Sequence, residues 1–294
     1  MERKEFTSPV KSRLKKHQLI PVWWITLPAI FLVLILFLIL IFPEQFFKEQ
    51  LSGDTASHTS LAYLRQLNAL SEENHRLKLQ IISEHLQLGE WKEAKEQLKI
   101  YQYVPKENPL FNEIQWLNYQ VVHKHFYSKE SKRPSKATYS KALGKALLTS
   151  QKPKQLIILA NNAIALDEPK LAADAYKKLF ALHPNQPLNT YIQAAKTALG
   201  AGEYELSGNY FFTAQQRAKS KLFKQSAFFQ GVSAIEAGQN TKEALDTAIK
   251  HSQGLPETRR FLLFMAKLAL RANQVQISEK YILRALYQPT GNAP

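Results

Sequence analysis

The chain has 294 residues, no cysteine, and a formal charge of +15 from 39 Lys and Arg against 24 Asp and Glu. Without cysteine there is no disulfide framework and no thiolate metal site, a composition that suits an oxidising compartment. Ten Gly and fourteen Pro are few punctuating residues for this length, which favours an all-α chain over a β-rich one.

In chain order the first element is a basic tail, residues 1–18, where Arg3, Lys4, Lys11, Arg13, Lys15 and Lys16 outnumber Glu2 and Glu5. Leu19–Pro43 follows (LIPVWWITLPAIFLVLILFLILIFP) with no ionisable residue. A bilayer core about 30 Å thick needs about 20 apolar helical residues, and this run is long enough to span with some tilt. The Lys/Arg bias places the N-terminal flank in the cytoplasm. The expectation is therefore a single-pass signal anchor in a bacterial inner membrane, its C-terminal domain exported to the periplasm. Trp23 and Trp24 suit the inner interface and Phe46 and Phe47 the outer one, while Pro21 and Pro28 can bend the span. A cleaved signal peptide is the competing reading. It requires an apolar core of about 7–15 residues and a small-residue cleavage site, but this run is longer and FPEQFFKEQ follows it. Residues 44–56 read as a juxtamembrane linker.

From residue 57 to 292 the pattern is amphipathic helices that repeat. In four windows two packing positions lie 12 apart: Ile82 and Ala94 in 75–108, Ala160 and Ala172 in 153–186, Ala195 and Ser207 in 188–221, Ala266 and Ser278 in 259–292. Small residues there let paired antiparallel helices approach closely, and Gly89 and Gly202 allow the tight turn between them. Pro184 closes the 153–186 window, and Pro256 closes 223–256. Residues 223–256 follow less well, with Gly231, Gly238 and Ala244 one residue out of step. Residues 109–152 read as a degenerate pair: an aromatic-rich helix over 110–127, a polar loop over 128–136 that is the best internal break, and a second helix over 137–149. Residues 57–74 read as a lone capping helix, with Ser60, Leu64 and Leu67 in register.

These packing positions, the Gly-x-aromatic turns (Gly89/Trp91 and Gly202/Tyr204) and the closing prolines resemble the tetratricopeptide repeat. The resemblance implies an α-solenoid of antiparallel helix pairs with a concave binding face lined by the first helix of each pair. Mapped onto this chain, the groove-facing positions include Lys154, Asn161, Asn189, Lys196, Arg260, Lys267 and Arg271. An Asn with Lys or Arg neighbours is how some of these domains hold a peptide's terminal carboxylate, through charge-assisted hydrogen bonds. The alternative is that these side chains only keep an exposed groove soluble.

Charge is concentrated. His123–Gln155 holds nine Lys and Arg, among them Lys129, Lys132, Arg133, Lys136, Lys141 and Lys145, with Glu130 its only acid. Arg217, Lys219, Lys221 and Lys224 add to the excess. Such a patch fits anionic lipid, acidic polysaccharide or an acidic protein; a solvated basic loop is the plainer reading. Nucleic acid fits the charge but not an exported location, and no nucleic-acid motif accompanies it. Catalysis has little support. The eight His form no HExxH, and GxSxG, P-loop and GxGxxG are absent, so no catalytic residue, metal or cofactor is expected. The His read as surface or groove-edge residues, and the aromatics of 111–127 as core.

The functional expectation is a membrane-anchored scaffold whose exported solenoid binds other envelope proteins or a peptide segment. The stretch 42–99 also resembles, over a short length, envelope tetratricopeptide proteins of exopolysaccharide export. That suggests a second role, as an accessory scaffold for an acidic exopolysaccharide. A periplasmic chaperone-like factor is a third.

Overall fold

The computed structural model describes residues 30–33, 56–71, 73–238 and 241–288. The basic tail, nearly all of the expected span Leu19–Pro43 with its Trp and Pro residues, and the linker up to residue 55 lie outside the described residues. Within them every regular element is helical, and no helix is long and apolar enough to cross a membrane. Contacts divide the chain into two compact units, Met1–Ser60 and Leu61–Pro294. The helices from residue 61 onward belong to the second.

The helices are α1 (His58–Leu70), α2 (His75–Gln87), α3 (Trp91–Leu98), α4 (Phe111–Phe126), α5 (Lys136–Thr149), α6 (Pro153–Ala165) and α7 (Pro169–Leu182). They continue as α8 (Leu188–Gly200), α9 (Tyr204–Arg217), α10 (Lys221–Ala237), α11 (Thr241–His251), α12 (Arg259–Arg271) and α13 (Val275–Leu286). From α2 onward, each packs on its neighbour in sequence.

Four pairs share one turn chemistry. Gly89, Asp167, Gly202 and Asn273 follow α2, α6, α8 and α12, with φ of 84°, 57°, 78° and 57°. In each turn the next residue's N–H reaches back five residues to a carbonyl: Glu90 to His85 (2.8 Å), Glu168 to Ala163 (3.0 Å), Glu203 to Ala198 (2.9 Å), Gln274 to Ala269 (2.8 Å). This is a Schellman closure, which satisfies helix-end carbonyls and needs a left-handed residue. Two turns use Gly; the other two use Asp and Asn, the side chains that best tolerate that region. The residue closing one helix also caps the next: Glu90, Glu168, Glu203 and Gln274 each accept the first backbone bond of the second helix. The turn is therefore short, and the two helices meet at once.

They meet at the positions 12 apart. Ile82, Ala94, Ala160, Ala172, Ala195 and Ser207 are fully buried, and Ala266 and Ser278 nearly so. Where Ser replaces Ala, its hydroxyl donates across the contact to the partner carbonyl: Ser207 Oγ to Ala195 O (2.8 Å), Ser278 Oγ to Ala266 O (2.9 Å). A buried hydroxyl without a partner would be costly; here the closeness that small residues allow also supplies the acceptor.

Successive pairs are tied through loop carbonyls. Arg217 donates to Gln186 O (3.2 Å) and Pro184 O (3.0 Å), while its guanidinium lies 4.8 Å from the Tyr191 ring centre. Gln225 donates to Pro256 O (3.2 Å) and Thr258 Oγ1 (2.9 Å). Arg217, counted above with the basic excess, thus secures the Pro184 loop.

Between α9 and α10 the approach is close. A Cβ added to Gly208 would lie 2.6 Å from Ile235 Cγ1, and one added to Gly231 would lie 2.9 Å from the Phe212 ring. The register slip in 223–256 has a local cause. Ser220 caps α10 early, through Phe223 N, and the helix runs 17 residues where the first helices of the four regular pairs run 13.

The aromatic stretch 111–127 is shared between two cores. Ile114, Leu117 and Val121 of α4 pack with α2 and α3, whereas Tyr119, Val122 and Phe126 pack with α5 and α6. The division between the two cores therefore runs along α4 and not at the polar loop 128–136. It is also held in place: His125 stacks on Trp91 (ring centres 4.0 Å, 14° between planes) and bonds Lys132 O (2.8 Å), and Lys92 pairs with Glu130 (2.9 Å).

Candidate functional site

All seven side chains expected on the concave face are exposed, but only two come together. Asn161 and Ile164 of α6 face Gln193, Lys196, Thr197 and Gly200 of α8 across an open groove of about 510 Å³. Asp167 of the turn and Pro169 at the start of α7 close one end. The groove exists because α6 and α8 both lean on α7, with Leu156, Leu159, Ala160, Ala163 and Tyr191, Ala194, Ala195, Ala198 turned inward. Residues on the opposite face are left for a ligand.

Its chemistry is donor-rich. Gln193 Oε1 accepts from the Tyr176 hydroxyl (3.4 Å), which leaves the amide NH2 to donate. Burial pushes the Tyr176 phenol above its usual pKa, so it remains a donor. Among the described residues Lys196 has no ion-pair partner, and Asp167, the groove's only carboxylate, does not pair with it. Ile164, about half exposed, supplies an apolar wall. An ammonium and two amides beside an aliphatic surface can hold an extended peptide: carbonyls or a carboxylate take the donors, and an apolar side chain meets Ile164.

The other expected groove residues do different things. Arg271 forms a two-point pair with Glu236 of α10 (Nε–Oε1 2.7 Å, NH2–Oε2 2.8 Å), so its fork is occupied in clamping α12 to α10. Arg260 lies over Phe229 at 5.6 Å. Lys154, Asn189 and Lys267 are exposed but do not line the α6–α8 groove. Sequence reasoning missed Gln193 and Thr197, although Gln193 stands one turn before Lys196 and so shares its face.

The six basic residues Lys129, Lys132, Arg133, Lys136, Lys141 and Lys145 are all exposed. Their only local acid, Glu130, is taken by Lys92. None of the six has an ion-pair partner among the described residues.

Two polar clusters are structural. Asn162 donates to the Tyr119 hydroxyl (2.5 Å), Tyr119 bonds Tyr139 (3.5 Å), and Tyr139 bonds His123 Nδ1. This chain joins α4, α5 and α6 beneath the surface. Burial raises the pKa of both phenols, and burial followed by Lys124 lowers that of His123. The second cluster corrects an expectation, since His85 is not a surface residue but fully buried. Its Nε2 faces two donors, Arg65 NH2 (3.2 Å) and Gln97 Nε2 (3.1 Å), so Nδ1 donates to Glu90 Oε2 (2.6 Å). One imidazole thereby links α1, α2 and α3.

No protein-family model matches this chain, and no curated protein matches it.

Proposed function

We propose that this chain is a membrane-anchored scaffold of tetratricopeptide-repeat type, whose exported solenoid holds a segment of another envelope protein between α6 and α8. The observation that carries the reading is the open groove in which Asn161, Gln193 and an unpaired Lys196 present donors beside Ile164. Two rigid helix pairs frame those donors, so little ordering entropy opposes binding. Affinity would come from an apolar anchor plus charge-assisted hydrogen bonds.

The test is a crosslinking pull-down of the full chain from native membranes, comparing the parent with Asn161→Ala, Lys196→Ala and Arg271→Ala. A discrete protein partner retained by the parent and by Arg271→Ala, but lost with the two groove variants, is the expected result. The same proteins recovered from all four would remove the groove from the account.

A further inference from the structure

Helix α5 carries a second surface with its own chemistry. Tyr139, Leu143, Ala146 and Leu147 point into the core, so Lys141, Lys145 and Leu148, spaced at i, i+4 and i+7, share the outward face. Leu148 is 80% exposed, unusual for a leucine in a packed helix. At this end side chains of α7 and of the residue after it reach the last carbonyls of α5 and the turn that follows. Lys178 Nζ donates to the carbonyls of Leu147 (2.7 Å) and Leu148 (2.8 Å), and His183 Nε2 bonds Gln151 O (2.7 Å). Those bonds bring Leu182, one turn beyond Lys178 and 47% exposed, to the same edge as Leu148. The edge thus shows two bare leucines near Lys141, Lys145, Lys152 and Lys154; Glu130 is engaged by Lys92, and Asp174, one turn before Lys178 on α7, is an exposed acid on that helix.

Three features choose among possible acidic partners. The cations nearest the leucines are lysines on exposed helical turns, point charges with mobile stems rather than preset forks. The exposed aromatic nearest α5 among the described residues, Tyr127, packs against Tyr139 at the start of that helix, at the other end from Leu148. The apolar content is a pair of aliphatic side chains at a rim, a composition that fits the headgroup–acyl boundary of a bilayer. We infer that the α5–α7 edge is a docking surface for anionic phospholipid, with the lysines meeting headgroups and Leu148 and Leu182 entering the interface. This rests on the edge alone and stands whether or not the groove binds a peptide.

Because the chain lacks cysteine, Gln151→Cys creates a unique labelling point beside Leu148. The labelled full chain is placed in liposomes of phosphatidylcholine, with or without phosphatidylglycerol, that carry a nitroxide quencher in the acyl region. The inference predicts several-fold stronger quenching with the anionic lipid. That quenching should be lost in high salt, reduced at least fivefold by Lys141→Glu/Lys145→Glu, and unchanged by Lys196→Ala. Equal quenching in both liposomes, or quenching indifferent to charge reversal, overturns it. So does a response of the label to alginate that anionic lipid fails to produce, which would assign the edge to an acidic polymer.

Discussion

The four equivalent turns give a sharp test at Gly202. Its φ is 78°, and nothing lies within 4 Å of where a Cβ would be. Any cost of Gly202→Ala is therefore conformational rather than steric. Forcing an L-residue into the left-handed region costs about 1–2 kcal/mol, offset in part by the stiffer unfolded chain, worth about 0.4–1 kcal/mol. The expected net loss is about 1 kcal/mol. Gly202→Asn should lose clearly less, since Asn273 and Asp167 occupy the same turn position at φ 57°. Urea unfolding of the full chain, followed by far-UV circular dichroism, reads both. An alanine variant as stable as the parent would refute the reasoning, as would an asparagine variant no better than alanine.

Gly208→Ala gains about 1 kcal/mol of helix propensity but places a methyl 2.6 Å from Ile235 Cγ1 and 3.1 Å from Gly231 O. Overpacking of about 1–3 kcal/mol should win, lowering the urea midpoint, and a raised midpoint would contradict the close α9–α10 contact. His85→Ala removes the acceptor of Arg65 and Gln97 and opens a cavity, and should cost about 2–4 kcal/mol; a neutral effect in thermal unfolding would show that the imidazole does not link the three helices. His123 and His251 are both held below their usual pKa, by burial first and then by Lys124 and Lys250 respectively. As pH falls through about 6.5 the unfolded chain takes up protons that the folded chain resists. The stability present above that pH is therefore lost below it, until the folded-state values are passed. Urea midpoints should be lower at pH 5.5 than at 7.5, and His123→Asn should narrow the gap; a gap unchanged by this variant would remove His123 from the explanation.

Helix pairing was readable because it depends on residue size at fixed spacing. Ala160 with Ala172 and Ala195 with Ser207 can be found by counting, and the fold uses them as contacts. Gly89 and Gly202 marked two turns for the same reason. Asp167 and Asn273 did not, since each is also an ordinary surface residue, and only the Schellman bonds reveal the shared role. Long-range pairing left no local trace. Arg271 looks like a groove cation until Glu236, far away in sequence, is found opposite it. His85 looks like a surface residue on an amphipathic helix until Arg65 and Gln97 converge on its Nε2. Of the groove, the register indicated Asn161 and Lys196, but the placing of α8 opposite α6 that brings in Gln193 is a tertiary result.

The central claim, that the α6–α8 groove holds a partner's segment, is tested most directly by photocrosslinking inside it. A benzophenone amino acid at Thr197 of the full chain, irradiated in native membranes, should give a discrete protein adduct that disappears when Lys196→Ala or Asn161→Ala is added. The same probe at Asn209, exposed on α9 and not lining the α6–α8 groove, should not give that adduct. No adduct at Thr197, or one that persists in both groove variants, would contradict the claim.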